Sequence, residues 1–170
     1  MARYFNISGE LTQQLLAPGD NVKVTGISLT NVQKVSKCKV DLYMEKQFEG
    51  KFYILKNIEL PIGVTLEHDF SINNYTDEYG LYIKLTDGAS FELTGDINPG
   101  NSTTTVPGTN TIFLSEVSVG DEIEVTGETK TVTSITADNS LVVDSTFSSA
   151  LATDTTPTCN PTALVDVIIN

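Results

Sequence analysis

This 170-residue chain has no tryptophan, one histidine, two cysteines, and 10 basic side chains against 22 acidic ones. Each shortage excludes something. Two cysteines cannot build a disulfide framework. A single histidine, His68, leaves little for the nucleophile–base pairs and triads of hydrolytic catalysis. A net charge of −12 repels the phosphates of nucleic acid. No apolar run approaches the ~18 residues of a membrane span, and MARYFNISGELTQQ has no signal-like apolar segment. The expectation is a protein made and kept in the cytosol, or one that leaves the cell by a route other than secretion. Glycine-rich phosphate loops, CxxC pairs and basic aromatic stripes are also missing.

What is present is the period-2 rhythm of β-strands, and no window of a dozen residues keeps helical spacing. Asp41 to Leu85 holds four apolar runs separated by turn signals, which reads as a β-meander. CKVDLYMEK places Cys38, Val40, Leu42 and Met44 inward, with Lys37, Lys39, Asp41, Tyr43 and Glu45 outward. KFYILKNIELP aligns Phe52, Ile54, Ile58 and Leu60, and VTLEHDFSI aligns Val64, Leu66, Phe70 and Ile72 with His68 on that apolar face. Residues 2–8 predict a first strand, a polar stretch follows, and APGD at 17–20 predicts a turn. In NVKVTGISLTNV the apolar parity switches at Gly26, from Val22 and Val24 to Ile27 and Leu29, which predicts a β-bulge. FELT and the terminal ALVDVIIN complete seven or eight strands, a sandwich count. The expected fold is all-β, an Ig-like antiparallel β-sandwich.

From about Asp96 to Pro161 the composition changes. Thr-, Ser-, Asn-, Gly- and Pro-rich flanks enclose a second alternating pattern, IFLSEVSVGDEIEVTGETKTVTSITADNSLVVDS, with turn signals at Gly120-Asp121, Gly127-Glu128 and Asp138-Asn139. The reading is a discontinuous sandwich, 1–95 plus 162–170, carrying a small barrel-like β module at 96–161. Loop tips tolerate such insertions because closure entropy grows slowly with length. Charge divides unevenly as well: residues 1–56 carry 8 basic and 5 acidic side chains (+3), residues 57–170 carry 2 and 17 (−15). That asymmetry suits a subunit whose basic end docks on an acidic neighbour.

The segments LTQQLLAPGDNVKVTGISLTNV, KVDLYMEKQFEGKFYILKNIELPIGVTLEHDFSI, GLYIKL and VDVIIN resemble small structural proteins of tailed bacteriophages, large marine cyanophages above all. VGDEIEV, ETKTVTSI and the following D-x-SL-x-V spacing resemble a small β-module that recurs in phage tail fibres. The resemblance implies a virion part with a scaffold role and supplies no catalytic or binding residues. The expected function is a non-enzymatic structural subunit, a capsid decoration or accessory protein. A neck, collar or tail component is the first alternative, and a module binding carbohydrate or a receptor on the host surface the second. Expected partners are other virion proteins and further copies of the chain, with no cofactor, nucleic acid or membrane.

The remaining candidates for chemistry are few. His68 reads as a core or edge histidine, Cys38 as an inward thiol and Cys159, in TPTCNP, as a loop thiol without a partner to lower its pKa. Asp121, Glu122 and Glu124 read as surface charge, with a weak cation site as the sharper alternative. NNYTDEYG offers Asn73, Asn74, Asp77 and Glu78 as oxygen ligands but lacks the spacing of a calcium hand. Asn-x-Ser/Thr sequences at Asn6, Asn74 and Asn101 mean little without a secretory route. That leaves the outward tyrosines. Tyr43, Tyr53 and Tyr82, with Lys37 and Lys39, form the expected protein interface, because tyrosine is enriched where proteins meet.

Overall fold

The computed structural model describes residues 2–46, 48–74, 78–99, 103–148 and 151–170. The chain forms two compact units: residues 1–33, 37–87 and 163–170 in the first, residues 34–36 and 88–162 in the second. Both are built from antiparallel sheet.

The first unit is a sandwich of two four-stranded sheets. One holds β1 (Arg3–Ser8), β3 (Val22–Asn31), β6 (Thr65–Asn74) and β15 (Leu164–Ile169), in the order β1-β15-β3-β6. The other holds β2 (Thr12–Leu16), β4 (Cys38–Lys46), β5 (Gly50–Leu60) and β7 (Gly80–Thr86), in the order β2-β7-β4-β5. Alternation along each strand sends Val24, Ile27, Leu29, Val165 and Val167 from one sheet, and Val40, Leu42, Ile83 and Leu85 from the other, into a single core. Burying a side chain of this kind contributes roughly 1.5–3 kcal/mol, so central strands dominate the stability.

The parity switch in β3 is real, with a twist. Val24 pairs with Ile72 and Gly26 with Asp69, so the additional residue lies in β6 rather than in β3. Val24 and Ile27 both reach the core across the shift. Gly26 is fixed by close packing, since a Cβ there would lie 3.2 Å from both Asp69 Oδ1 and the His68 carbonyl oxygen. TQQLL, a polar stretch in the sequence reading, forms strand β2 because Leu15 and Leu16 both bury against the core. The KFYILKNIELP strand departs from simple alternation. Two register shifts separate β5 from β4, one of them at Asn57, which has φ 53° and whose N–H donates to Asp41 Oδ1 (2.6 Å). Ile54 and Leu55 therefore share the inward role, and Phe52 is left 54% exposed.

The second unit is one seven-stranded sheet, ordered β8-β14-β11-β12-β13-β10-β9. Its strands are β8 (Phe91–Glu92), β9 (Asp96–Ile97), β10 (Thr105–Thr109), β11 (Glu122–Val125), β12 (Glu128–Ala137), β13 (Ser140–Val143) and β14 (Thr158–Asn160). FELT belongs here, because Phe91 and Glu92 pair with Cys159 and Thr158, so the unit begins at Gly88 rather than at Asp96. The β11–β12 turn places Thr126 (φ 50°) and Gly127 (φ 81°) in the left-handed region, as a tight hairpin requires. β12 pairs with β11 through Thr131 and with β13 from Val132 onward, with two register shifts that bend it. One helical turn, α1 (Phe113–Glu116), interrupts the expected strand rhythm, since Phe113 and Val117, four residues apart, both bury against this core. Among the described residues no helix is long and apolar enough to cross a membrane.

The chain leaves the sandwich at Asp87 and returns at Ala163, and these ends are tied together. Ala163 N–H donates to Asp87 Oδ1 (2.6 Å), Asp87 N–H donates to Glu10 Oε1 (3.1 Å), and Gly9 N–H donates to the Ala163 carbonyl (2.8 Å).

Candidate functional site

Strand register builds one lateral row across the outer face of the sheet β2-β7-β4-β5. Gln14 stands opposite Tyr82, Tyr82 opposite Tyr43, and Tyr43 opposite Tyr53. Directly opposite residues share a face, so four side chains from four strands line up. Tyr43 and Tyr82 stack with centroids 5.8 Å apart and planes 15° apart, while Tyr53 tilts against Tyr43 at 5.5 Å. Such ring pairs contribute about 0.5–1.5 kcal/mol beyond the area they bury. Gln14 Nε2 donates to the Tyr82 hydroxyl at 2.7 Å, which closes the row.

Lysines cover the row. Lys51 Nζ lies 4.3 Å from the centre of the Tyr43 ring and donates to its hydroxyl (3.2 Å); Lys56 Nζ lies 3.7 Å above Tyr53. The bond to the Tyr43 hydroxyl raises the Lys51 pKa, with partial burial working against it. Lys39 and Lys84 share this face, and Lys37 reaches it through an ion pair with Glu59 (2.8 Å). Five lysines stand against three carboxylates there, Asp41, Glu45 and Glu59, giving +2 on one face of a chain whose total is −12.

One of the proposed interface residues cannot touch a partner directly. Tyr43 is 1% exposed. Its parity is outward as expected, but it sits on a central strand between two other rings and under Lys51, so its neighbours seal it. Tyr53 is 42% exposed and Tyr82 half-buried, and these carry the accessible aromatic surface. Lys37 and Lys39 are exposed on the same face, towards the start of β4. A second aromatic–cation group lies at the end of the same sheet but on its other face, because Phe52 stands opposite the inward Met44: Phe52 meets Tyr79 edge-on (5.8 Å), Lys46 lies over Tyr79 (5.6 Å), and Lys46 pairs with Glu49 (2.7 Å). Mutual hydrogen bonding raises the Lys46 pKa and lowers that of Glu49. Sequence parity could have flagged Lys51, but it carried no signal for Lys56, because the strand shifts register between Tyr53 and Leu55.

The other candidates resolve differently. Asp121 is fully buried, contrary to its reading as surface charge. Ser118 N–H donates to Oδ2 (2.8 Å) and Thr162 N–H to Oδ1 (3.0 Å), and the Cys159 thiol lies 3.8 Å from Oδ2. Glu122 and Glu124 are exposed as expected. Cys159 belongs to strand β14 rather than to a loop, and burial first, then the Asp121 charge, push its thiol pKa far up. Cys38 is buried, and its pKa rises to about 11 for the same leading reason, with the Asp87 charge adding to it. His68 is half-buried, its ring 5.7 Å from Phe70. Asp77 and Asn101 lie outside the described residues, as does the Asn74 side chain; among the described residues no group of three metal-ligating side chains comes together.

No family model, no curated protein and no solved structure matches this chain. The tyrosine face therefore has to be understood from its own chemistry. A row of rings with hydroxyl tips can desolvate and hydrogen-bond at its rim, and tyrosine is enriched at protein-binding surfaces.

Proposed function

We propose that this chain is a non-enzymatic structural subunit of a tailed-phage virion that docks through the tyrosine face of its sandwich. The observation that carries the docking face is the row Gln14–Tyr82–Tyr43–Tyr53 under Lys51 and Lys56. Three facing tyrosines exceed what a solvated sheet surface needs, and the buried central ring makes the platform rigid. Rigid aromatic anchors lose little side-chain entropy on binding. The virion assignment rests on the resemblance of the strand segments to small phage structural proteins. Within the particle, a capsid decoration or accessory role is the leading reading and a neck, collar or tail role the alternative. Neither the buried thiols nor the packed histidine offers an activated nucleophile.

Mass spectrometry of purified particles of the encoding phage, with copy-number counting, tests this. Copies matching the capsid lattice support decoration, copies matching a small ring support the neck or tail, and absence from the particle refutes both. A second reading, recognition of host glycans, is favoured by the exposed ring of Tyr53 and the half-buried ring of Tyr82 beside the Gln14 amide. A glycan array with the intact protein and a Tyr53→Ala variant decides it: specific binding lost in the variant selects this reading.

A further inference from the structure

The second unit presents a surface complementary to the tyrosine face. Its charged residues are two basic and ten acidic, a net −8. Register places three of the acids on one side of its sheet: Glu124 stands opposite Thr158, Thr158 opposite Glu92, and Glu122 two residues along β11. Glu92, Glu122 and Glu124 are all exposed. The same face carries Thr129, Thr131, Thr158 and Asn160, which are hydrogen-bonding but uncharged. Lys130 is opposite Ile123 and so belongs to the other side, where it pairs with Glu128 (2.9 Å) and lies over Phe147. Among the described residues of this sheet no basic side chain shares the acidic face.

From this complementarity we propose that the tyrosine face of one copy receives the acidic face of the second unit of another copy. It rests on the reading of the tyrosine face as a docking surface and names its occupant. The lysines at +2 meet three carboxylates, tyrosine hydroxyls meet threonine hydroxyls and an asparagine amide, and the ring edges exclude water between them. The two faces are different patches, so the contact is heterologous: head-to-tail addition closes into a ring or continues as a chain. An arrangement of this kind suits a protein assembled in many copies.

Charge swapping tests it on the full chain. Wild type is compared with Lys39→Glu/Lys56→Glu and with Glu122→Lys/Glu124→Lys by sedimentation velocity up to about 0.5 mM, where even contacts of millimolar strength become visible. These positions are exposed, and circular dichroism with tyrosine fluorescence verifies that each variant is folded. Wild type is expected to self-associate at roughly 50 mM salt and to weaken by about tenfold or more at 0.5 M. Each double variant alone is expected to be monomeric, and an equimolar mixture of the two to associate again, because opposite charges then face each other. Monomeric wild type under all conditions overturns the proposal, as does failure of the folded mixture to recover. If the lysine variant also loses its place in the particle while wild type never self-associates, the docking face stands and its partner is a foreign acidic protein. If neither particle incorporation nor self-association changes, the docking face falls with it.

Discussion

Asp121→Ala is the most informative single substitution, because it acts on one unit and can be watched against the other. The carboxylate accepts two backbone N–H bonds, from Ser118 and Thr162, in a fully buried position. Hydrogen bonds to a charged acceptor contribute about 1.5–3 kcal/mol each. Removing a buried charge returns some desolvation energy, and the half-buried Ser118 and Thr162 can recover water, so the expected net loss is about 2–3 kcal/mol. Asp121→Asn keeps the shape and one acceptor oxygen, so it should lose about half as much. The sequence supplies the assay: there is no tryptophan, and all six tyrosines precede Gly88, so tyrosine fluorescence reports the sandwich alone. Far-UV circular dichroism reports both units. With a urea dependence near 1 kcal/mol per molar for a unit this small, the second unit's midpoint should fall by roughly 2–3 M while the tyrosine transition stays in place. An unchanged dichroism transition would refute the role given to Asp121. Equal movement of the tyrosine signal would refute the independence of the two units.

Other outcomes follow from the same geometry. Replacing residues 88–162 with a short Gly/Asn link should leave a folded sandwich with its tyrosine transition intact, because Asp87 and Ala163 already touch; an unstructured product by circular dichroism would count against it. Tyr43→Phe should cost about 1 kcal/mol through the lost Lys51 bond, whereas Tyr43→Ala should cost about 3–5 kcal/mol as a buried aromatic, both read from urea midpoints. Neither Cys38 nor Cys159 should react with an aromatic disulfide reagent at pH 8 in the native state, and both should react in guanidinium; a fast-reacting native thiol contradicts their burial. For Asp87, burial raises the folded pKa above the ordinary 3.8, against the Ala163 N–H that lowers it. The stability its neutral form contributes is therefore full below the unfolded value and lost as pH rises through the folded one. Asp87→Asn should accordingly be more stable than wild type at pH 7, the difference vanishing below about pH 4; a constant difference across that range would show that charge is not the cause.

Side-chain alternation made the all-β sandwich legible, because period-2 patterning in β3, β4, β7 and β15 is what a half-buried strand imposes. The same rule found the tyrosine row's orientation but misjudged Tyr43, since parity tells which face a residue joins and not how thickly its cross-strand neighbours cover it. Strand β5 was harder to read, because two register shifts break its phase. The boundary of the second unit was misplaced for a different reason: Phe91 and Glu92 alternate as well with β14 as with any strand of the sandwich, and only their partner distinguishes the two. Asp121 looked like one acid among three. Its burial depends on Ser118 and on Thr162, forty-one residues away, a contact no local pattern encodes. Lys56 joins the face of Tyr53 only because the register shifts between Tyr53 and Leu55, which simple alternation does not announce.

The bond between Asp87 and Ala163 has an evolutionary consequence. A fold whose chain can exit and re-enter within one side chain's reach offers a splice point: any cassette with neighbouring ends can be exchanged there by recombination without renegotiating the host's core. The lineage of the sandwich and that of its passenger are then free to differ, and engineered cargo, a reporter or an epitope, has a natural address between residues 87 and 163.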